Sequence, residues 1–250
     1  MSPRSIAVHA VLLVGAIACW LLAVDATDLD GIAGLGLLNV LPATWYLALA
    51  LLTVGFAIAV TGETAHRRLA LGYVVVLIFV LHGTTALLYE EPRYAWTYKH
   101  LGVIDLIAQA GQQPRDLDIY ANWPSFFALN AWFARASGLR PLDYAAWAQV
   151  FFELCNVAAL LFVFRGLTSN ARISLTAVWL FLVGNWIGQD YLSPQAFAFV
   201  VSLVLIGLYL RSAPPAHQRT TGWGHWLDRT QLRLAGRLIP DGVVHRGPRP

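Results

Sequence analysis

Apolar runs of membrane length constrain the fold of this chain more than any other feature. A bilayer core about 30 Å thick needs about 20 apolar residues in a helix that rises about 1.5 Å per residue. Six stretches approach this length, at residues 6–24, 44–61, 69–88, 144–164, 173–186 and 194–210. Apolar residues make up 58% of the 250, too large a share for a soluble core of this size. The sequence therefore predicts an all-α, polytopic membrane protein with six transmembrane helices.

A seventh apolar stretch, at residues 123–137, is too short to cross a bilayer. It also carries Asn130 and Arg135, so we interpret it as a re-entrant or interfacial helix. It lies within a long polar segment, residues 89–143, that separates the third span from the fourth.

Arginines in the short loops predict the orientation in the membrane. If the six spans alternate, one side receives Arg4, Arg67, Arg68, Arg165, Arg172 and Arg211. The short loops on the other side contain acidic residues and no Lys or Arg. Because basic loops stay in the cytoplasm, we expect both termini to be cytoplasmic and residues 89–143 to lie outside the plasma membrane. The run after Arg4 is long for a signal peptide, so we expect an uncleaved anchor.

The chain divides into a transmembrane domain, residues 1–211, and a basic tail, residues 212–250. In the tail, Arg229, Arg233 and Arg237 recur every fourth residue, while Trp226 and Leu234 fall on another helical face. This pattern predicts an amphipathic helix on the anionic lipids of the inner leaflet. We expect no nucleic-acid binding, because aromatic stacking residues are not interleaved with the arginines.

Polar residues within the spans occur at similar depths. Glu153 lies about nine residues into its helix, and Gln149 and Asn156 share its face. His82 and Asn185 are near the outer ends of other spans, and Gln189 and Asp190 follow shortly after. These groups would line one cavity open to the outside. The alternative is that each one is a separately satisfied helix contact.

No nucleotide-binding loop, zinc-ligand cluster or nucleophile motif occurs, so the sequence specifies no cofactor. Two Asp-x-Asp pairs leave a divalent cation open, because carboxylate oxygens suit such ions. These pairs are Asp28-Leu-Asp30 and Asp116-Leu-Asp118.

Two short motifs carry a family resemblance. Glu90-Glu91-Pro92-Arg93-Tyr94-Ala95 directly follows a span and resembles the Asp-Glu-x-Arg-Tyr-Ala segment of membrane glycosyltransferases of the GT-C class. Residues 122–129 and Gly138-Leu139-Arg140-Pro141 are similar to the hydrophobic segment and glycine turn that follow in that class. The class includes aminoarabinose transferases and protein O-mannosyltransferases, and the resemblance covers residues 87–163.

The resemblance implies transfer of a sugar from a polyprenyl-phosphate donor to the hydroxyl of an acceptor glycan, lipid or protein. It makes Glu90, with Glu91 as second choice, the general base that accepts the hydroxyl proton. It assigns the leaving phosphate to Lys99 and His100. Sugar-binding candidates are Tyr94, Asp118, Asn122, Trp123, Glu153, Gln189 and Asp190.

The chain is short for that class, so the resemblance also implies a truncated member or one half of an assembly with a partner subunit. The rival hypothesis is a lipid or solute transporter subunit, or an assembly scaffold without catalysis, that uses the same cavity.

Overall fold

The computed structural model describes residues 3–61, 66–112, 119–185 and 190–212. Over these residues the chain is helical and contains no strand, so the predicted all-α class is confirmed. The chain divides into two units, Met1–Gly207 and Leu208–Pro250. Only residues 208–212 of the second unit are described, and they end the last helix. The basic tail and its predicted amphipathic helix otherwise lie outside the described residues.

Ten α-helices occur in the described part of the chain. In order, they are α1 (Pro3–Asp25), α2 (Ala43–Thr61), α3 (Arg67–Ile78), α4 (Thr84–Leu88), α5 (Ala95–Ala110), α6 (Ser125–Ser137), α7 (Pro141–Ala145), α8 (Ala148–Leu167), α9 (Ala171–Gly184) and α10 (Pro194–Ser212). A π-helical turn, Phe79–Gly83, joins α3 to α4 in one continuous helical span, Arg67–Leu88.

Within the residues that the structure describes, five helices are long and apolar enough to cross a membrane, and the protein is a multi-pass membrane protein. They are α1, α2, the Arg67–Leu88 span, α8 and α10. The remaining predicted stretch, residues 173–186, forms the shorter apolar helix α9, which has 14 residues and ends at Gly184. Its length of about 21 Å falls short of a bilayer core of about 30 Å. The span predicted to begin at Tyr144 begins at Ala148 instead, because α7 is a separate short helix.

Two helices form most of the polar segment between the Arg67–Leu88 span and α8. The predicted helix at residues 123–137 is present as α6, whereas α5 was not predicted. The two pack against each other through Leu101, Ile104, Phe126 and Phe127. Each ends at a glycine with positive φ, a conformation that L side chains rarely adopt.

One buried threonine joins three helices beside the π-helical turn. The hydroxyl of Thr84 accepts hydrogen bonds from the indole N–H groups of Trp20 in α1, at 2.9 Å, and Trp45 in α2, at 3.1 Å. Indole N–H groups buried in the membrane need an acceptor, so this junction fixes α1 and α2 against the turn that carries His82.

The loops gather at two ends of the bundle. Arg67 and Arg165 line one cavity together with Ser169. Gln149 lies 16 residues before Arg165 in α8, about 24 Å away along the helix axis. It lines a different cavity with Asn185 and Asp190. The chain on either side of α9 therefore lies at opposite ends of α8.

A glycine in α2 allows close approach of a tyrosine in α3. A Cβ atom at Gly55 would lie 2.3 Å from Cε1 of Tyr73, whereas a Cβ at Gly72 would meet nothing within 4 Å. The Tyr73 hydroxyl also lies 2.9 Å from Nδ1 of the buried His9. The α2–α3 contact therefore depends on the absence of a side chain at position 55.

We expect Gly55→Ala to lower the free energy of unfolding by about 1–3 kcal/mol, because the added methyl displaces the Tyr73 ring. Gly72→Ala is the matched control, and it should raise this free energy by up to about 1 kcal/mol through helix propensity. Thermal unfolding of both variants in detergent micelles measures the difference. Equal shifts for the two variants would contradict the packing described here.

Candidate functional site

Three ionisable side chains from separate parts of the chain meet inside the bundle. His82 comes from the π-helical turn, Glu153 from α8, and Asp190 from the non-helical segment before α10. Glu153 is fully buried and Asp190 is 5% exposed. Nδ1 of His82 lies 3.1 Å from Oδ2 of Asp190. One potential ligand atom from each of the three lies within 4.8 Å of the other two.

Side-chain amides hold one oxygen of each carboxylate. Asn185 donates to Oε1 of Glu153 at 2.7 Å, and Asn156 donates to the same oxygen at 3.3 Å. Gln149 donates to Oδ1 of Asp190 at 3.2 Å. We call these six residues the polar cluster. It brings together the groups that the sequence placed at one depth, and the shared cavity is therefore favoured over separate helix contacts.

Several buried atoms of the polar cluster lack a hydrogen-bond partner. They are Nε2 of His82, Oε2 of Glu153 and Oδ1 of Asn156. The amide oxygen of Asn156 can only accept, and so can Oε2 of Glu153 when that carboxyl group is ionised, so these two atoms call for donors or a cation. Unsatisfied buried groups are costly, and native proteins retain few of them without a function.

Burial and hydrogen bonding act on the pKa of Asp190 in opposite directions. Burial raises its pKa, but the hydrogen bonds and charge supplied by His82 and Gln149 outweigh burial, so the pKa lies below the ordinary aspartate value. Asp190 is therefore a carboxylate at neutral pH.

Two adjoining cavities open beside the polar cluster. The larger, of about 370 Å³, is lined by residues that include His82, Asn185 and Asp190. The smaller is lined by residues that include Glu91 and Tyr191. Both share Thr85, Arg93, Tyr94 and Gln149. We call the two cavities, of about 20 and 370 Å³, the polar crevice.

The two glutamates of the Glu90–Ala95 motif occupy different positions. Glu91 lines the polar crevice, and its Oε2 accepts a hydrogen bond of 2.8 Å from the hydroxyl of Tyr98. This hydrogen bond raises the pKa of Tyr98, which keeps the phenol protonated and donating. Both glutamates are exposed, and Glu90 lines neither cavity of the crevice. On this geometry Glu91 is the better candidate base, although the sequence favoured Glu90.

Arg93 lines the crevice, whereas Lys99 and His100, to which the resemblance assigned the leaving phosphate, do not. Lys99 lies over the rings of Trp96 and Tyr120, at 5.4 and 5.0 Å from their centroids. His100 is fully buried. Its Nδ1 lies 2.8 Å from the Leu192 carbonyl oxygen, and burial lowers its pKa. Arg93 lines both cavities and is exposed.

An aromatic column connects the crevice to His100. Arg93 lies over the Tyr94 ring at 5.8 Å, and Tyr94 stacks on Tyr191 with centroids 5.2 Å apart. The other stacking partner of Tyr191 is the imidazole of His100, at 5.7 Å. His100 therefore packs against Tyr191, which lines the smaller cavity. Tyr94 lines both cavities.

The remaining predicted site residues are dispersed or fall outside the described part of the chain. Asn122 and Trp123 are exposed just before α6, and neither lines the polar crevice. Asp118 and Gln189 lie outside the described residues, as does the Asp116-x-Asp118 pair. Asp190 and Glu153 lie in the polar cluster, and Tyr94 lines the crevice.

Comparisons with known proteins do not identify the family of the chain. No protein-family model, curated protein or solved structure matches it.

Proposed function

We propose that the protein is a glycosyltransferase of the plasma membrane that resembles the GT-C class and works at the polar crevice. The donor is a polyprenyl-phosphate sugar, and the acceptor is a hydroxyl of a glycan, lipid or protein. The observation that supports this proposal is that Glu91, Arg93 and Tyr94, from the motif that resembles the class, line one crevice with the polar cluster.

The arginines favour an outward-facing crevice. Arg67 and Arg165 share a cavity at the end of the bundle away from Gln149. Basic loops remain in the cytoplasm, so the end that holds the crevice would face outward and both termini would be cytoplasmic. An outward crevice suits a donor whose sugar is presented on that side of the membrane.

In the proposed reaction, an acceptor hydroxyl oxygen attacks the anomeric carbon of the donor sugar. The bond from that carbon to the phosphate oxygen breaks, and polyprenyl phosphate leaves. Glu91 accepts the hydroxyl proton, while Tyr98 holds its carboxylate in place. Arg93 stabilises the negative charge on the departing phosphate. Tyr94, which packs against Tyr191, contacts the sugar from the crevice wall, and Gln149 and Asp190 bind sugar hydroxyls.

A radiolabelled donor tests the proposal. The purified chain in nanodiscs is incubated with a polyprenyl-phosphate sugar and with membrane fractions that supply acceptors and any partner subunit. We expect labelled acceptor to form, and the free polyprenyl phosphate to appear in equal amount. Donor that remains intact with every sugar and acceptor fraction would contradict the transferase proposal.

One observation favours the rival transporter function. Ionisable side chains within membrane helices often mark proton or solute pathways, and the fully buried Glu153 and the half-buried His82 are such groups. Proteoliposomes with a pH-sensitive dye inside distinguish the two functions. Solute or proton flux without transfer would favour the transporter, whereas transfer without flux would favour the enzyme.

A further inference from the structure

We propose that His82, Glu153 and Asp190 bind one divalent transition-metal ion, with Zn²⁺ or Mn²⁺ as the best match. This site differs from both Asp-x-Asp pairs of the sequence. It does not rest on the proposed transferase activity, because the ligands are read directly from the polar cluster.

The spacing of the ligand atoms fits a coordination shell. Metal–ligand bonds of about 2.0–2.2 Å place neighbouring ligands about 3.0–3.4 Å apart. Nδ1 of His82 and Oδ2 of Asp190 are 3.1 Å apart, and all three side chains offer an atom within 4.8 Å. A small inward movement of one side chain brings the third ligand to bonding distance.

The hydrogen bonds around the carboxylates have the pattern of an outer coordination shell. Asn185 and Asn156 hold Oε1 of Glu153, and Gln149 holds Oδ1 of Asp190. Amide donors thus orient both carboxylates through one oxygen. The second oxygen of Glu153 is fully buried and unpartnered, and that of Asp190 faces the imidazole.

The charge and acceptor balance also point to a cation. Glu153 and Asp190 contribute two negative charges when ionised, and a divalent ion neutralises both. Oε2 of Glu153 and Oδ1 of Asn156 have no hydrogen-bond partner. A cation stabilises such lone pairs, whereas a further buried carboxylate or carbonyl would not.

The ligand types select the class of metal. Imidazole favours Zn²⁺ and other transition metals over Mg²⁺ and Ca²⁺, and two carboxylates are also compatible with Mn²⁺. The cluster contains no thiolate, so soft ions such as Cu⁺ are disfavoured.

Titration of the metal-free chain tests the site. The full chain in nanodiscs is stripped with a chelator and titrated with Zn²⁺ by calorimetry, without any sugar donor. Every protein in this titration also carries His217→Asn, His225→Asn and His245→Asn, so that the histidines of the tail contribute no zinc ligands. We expect one high-affinity ion per chain, weakened at least about 100-fold by His82→Gln or Glu153→Gln. The matched control is His9→Gln, which replaces a buried histidine in α1 and should retain the affinity for Zn²⁺.

A measurement on the unsubstituted cluster covers the case in which the variants fail to fold. X-ray absorption at the zinc edge is measured on the chain that carries only the three tail substitutions. The bound zinc should have one imidazole ligand, oxygen ligands and no sulfur ligand. Absence of stoichiometric binding to folded protein would overturn the proposal. Sulfur ligation from Cys19 or Cys155, or unchanged affinity in folded His82→Gln and Glu153→Gln variants, would overturn it too. Failure of sugar transfer alone would leave all these readouts unchanged.

Discussion

Glu91→Gln is expected to lower the rate of sugar transfer about 10²- to 10⁴-fold, the usual contribution of a general base. Glutamine keeps the shape of the side chain and still accepts the hydrogen bond from Tyr98. It cannot accept the proton of the attacking hydroxyl. The loss should therefore appear mainly in kcat, with a smaller change in KM for the donor.

Glu90→Gln is the matched control, because it removes the same charge one residue away. Glu90 is exposed and lines neither cavity of the polar crevice, so we expect transfer within about threefold of the wild type. Initial rates with a radiolabelled polyprenyl-phosphate donor measure both variants. A large loss in Glu90→Gln with normal rates in Glu91→Gln would reverse the assignment of the base.

Asp190→Ala is expected to lower the free energy of unfolding by about 3–5 kcal/mol, because it removes one partner of a buried pair. Asp190 is 5% exposed, and its loss leaves the His82 imidazole and the Gln149 amide without their acceptor. The variant is measured with a chelator present, so that metal binding does not contribute. Thermal unfolding in detergent micelles gives the shift.

Asp143→Ala provides the comparison for a pair in solvent. Asp143 pairs with Arg140 at 2.7 Å, but both side chains are exposed. Solvent screens such a pair, and the only backbone group it caps is the exposed Arg140 N–H, so the melting temperature should fall far less than in Asp190→Ala. Similar shifts for Asp190→Ala and Asp143→Ala would mean that Asp190 is not buried against His82.

The sequence predicted most of the spans, because apolar length is a direct requirement of the bilayer. It did not predict the end of α9, because the apolar run continues past Gly184, where the helix ends. The following residue, Asn185, bonds to Glu153 instead of continuing the helix. The local sequence does not predict this contact, because its two residues lie 32 positions apart.

The helix α5 shows a signal that was present but overlooked. Thr97, Leu101 and Ile104 are buried at helical spacing, and His100 lies in the same stripe. This helical spacing of the apolar residues predicts a helix with His100 on its buried face. The charged residues of the segment led instead to an interpretation as an exposed, phosphate-binding loop.

The depth of polar groups could be predicted, but their orientation could not. A fixed rise per residue placed Glu153, His82 and Asn185 at a similar level of the membrane. Which of Glu90 and Glu91 faces the crevice depends on the loop conformation after Leu88, which spacing does not determine. Arg93 was likewise passed over, because only the fold brings it beside Gln149.

A double-mutant cycle between His82 and Asp190 tests most directly whether distant residues converge in one buried cluster. The free energies of unfolding are compared for His82→Ala, Asp190→Ala and the double variant in chelator. We predict a coupling energy of about 1–3 kcal/mol, because each single change removes the same contact. Additive effects, within about 0.5 kcal/mol, would contradict the polar cluster and the crevice built on it.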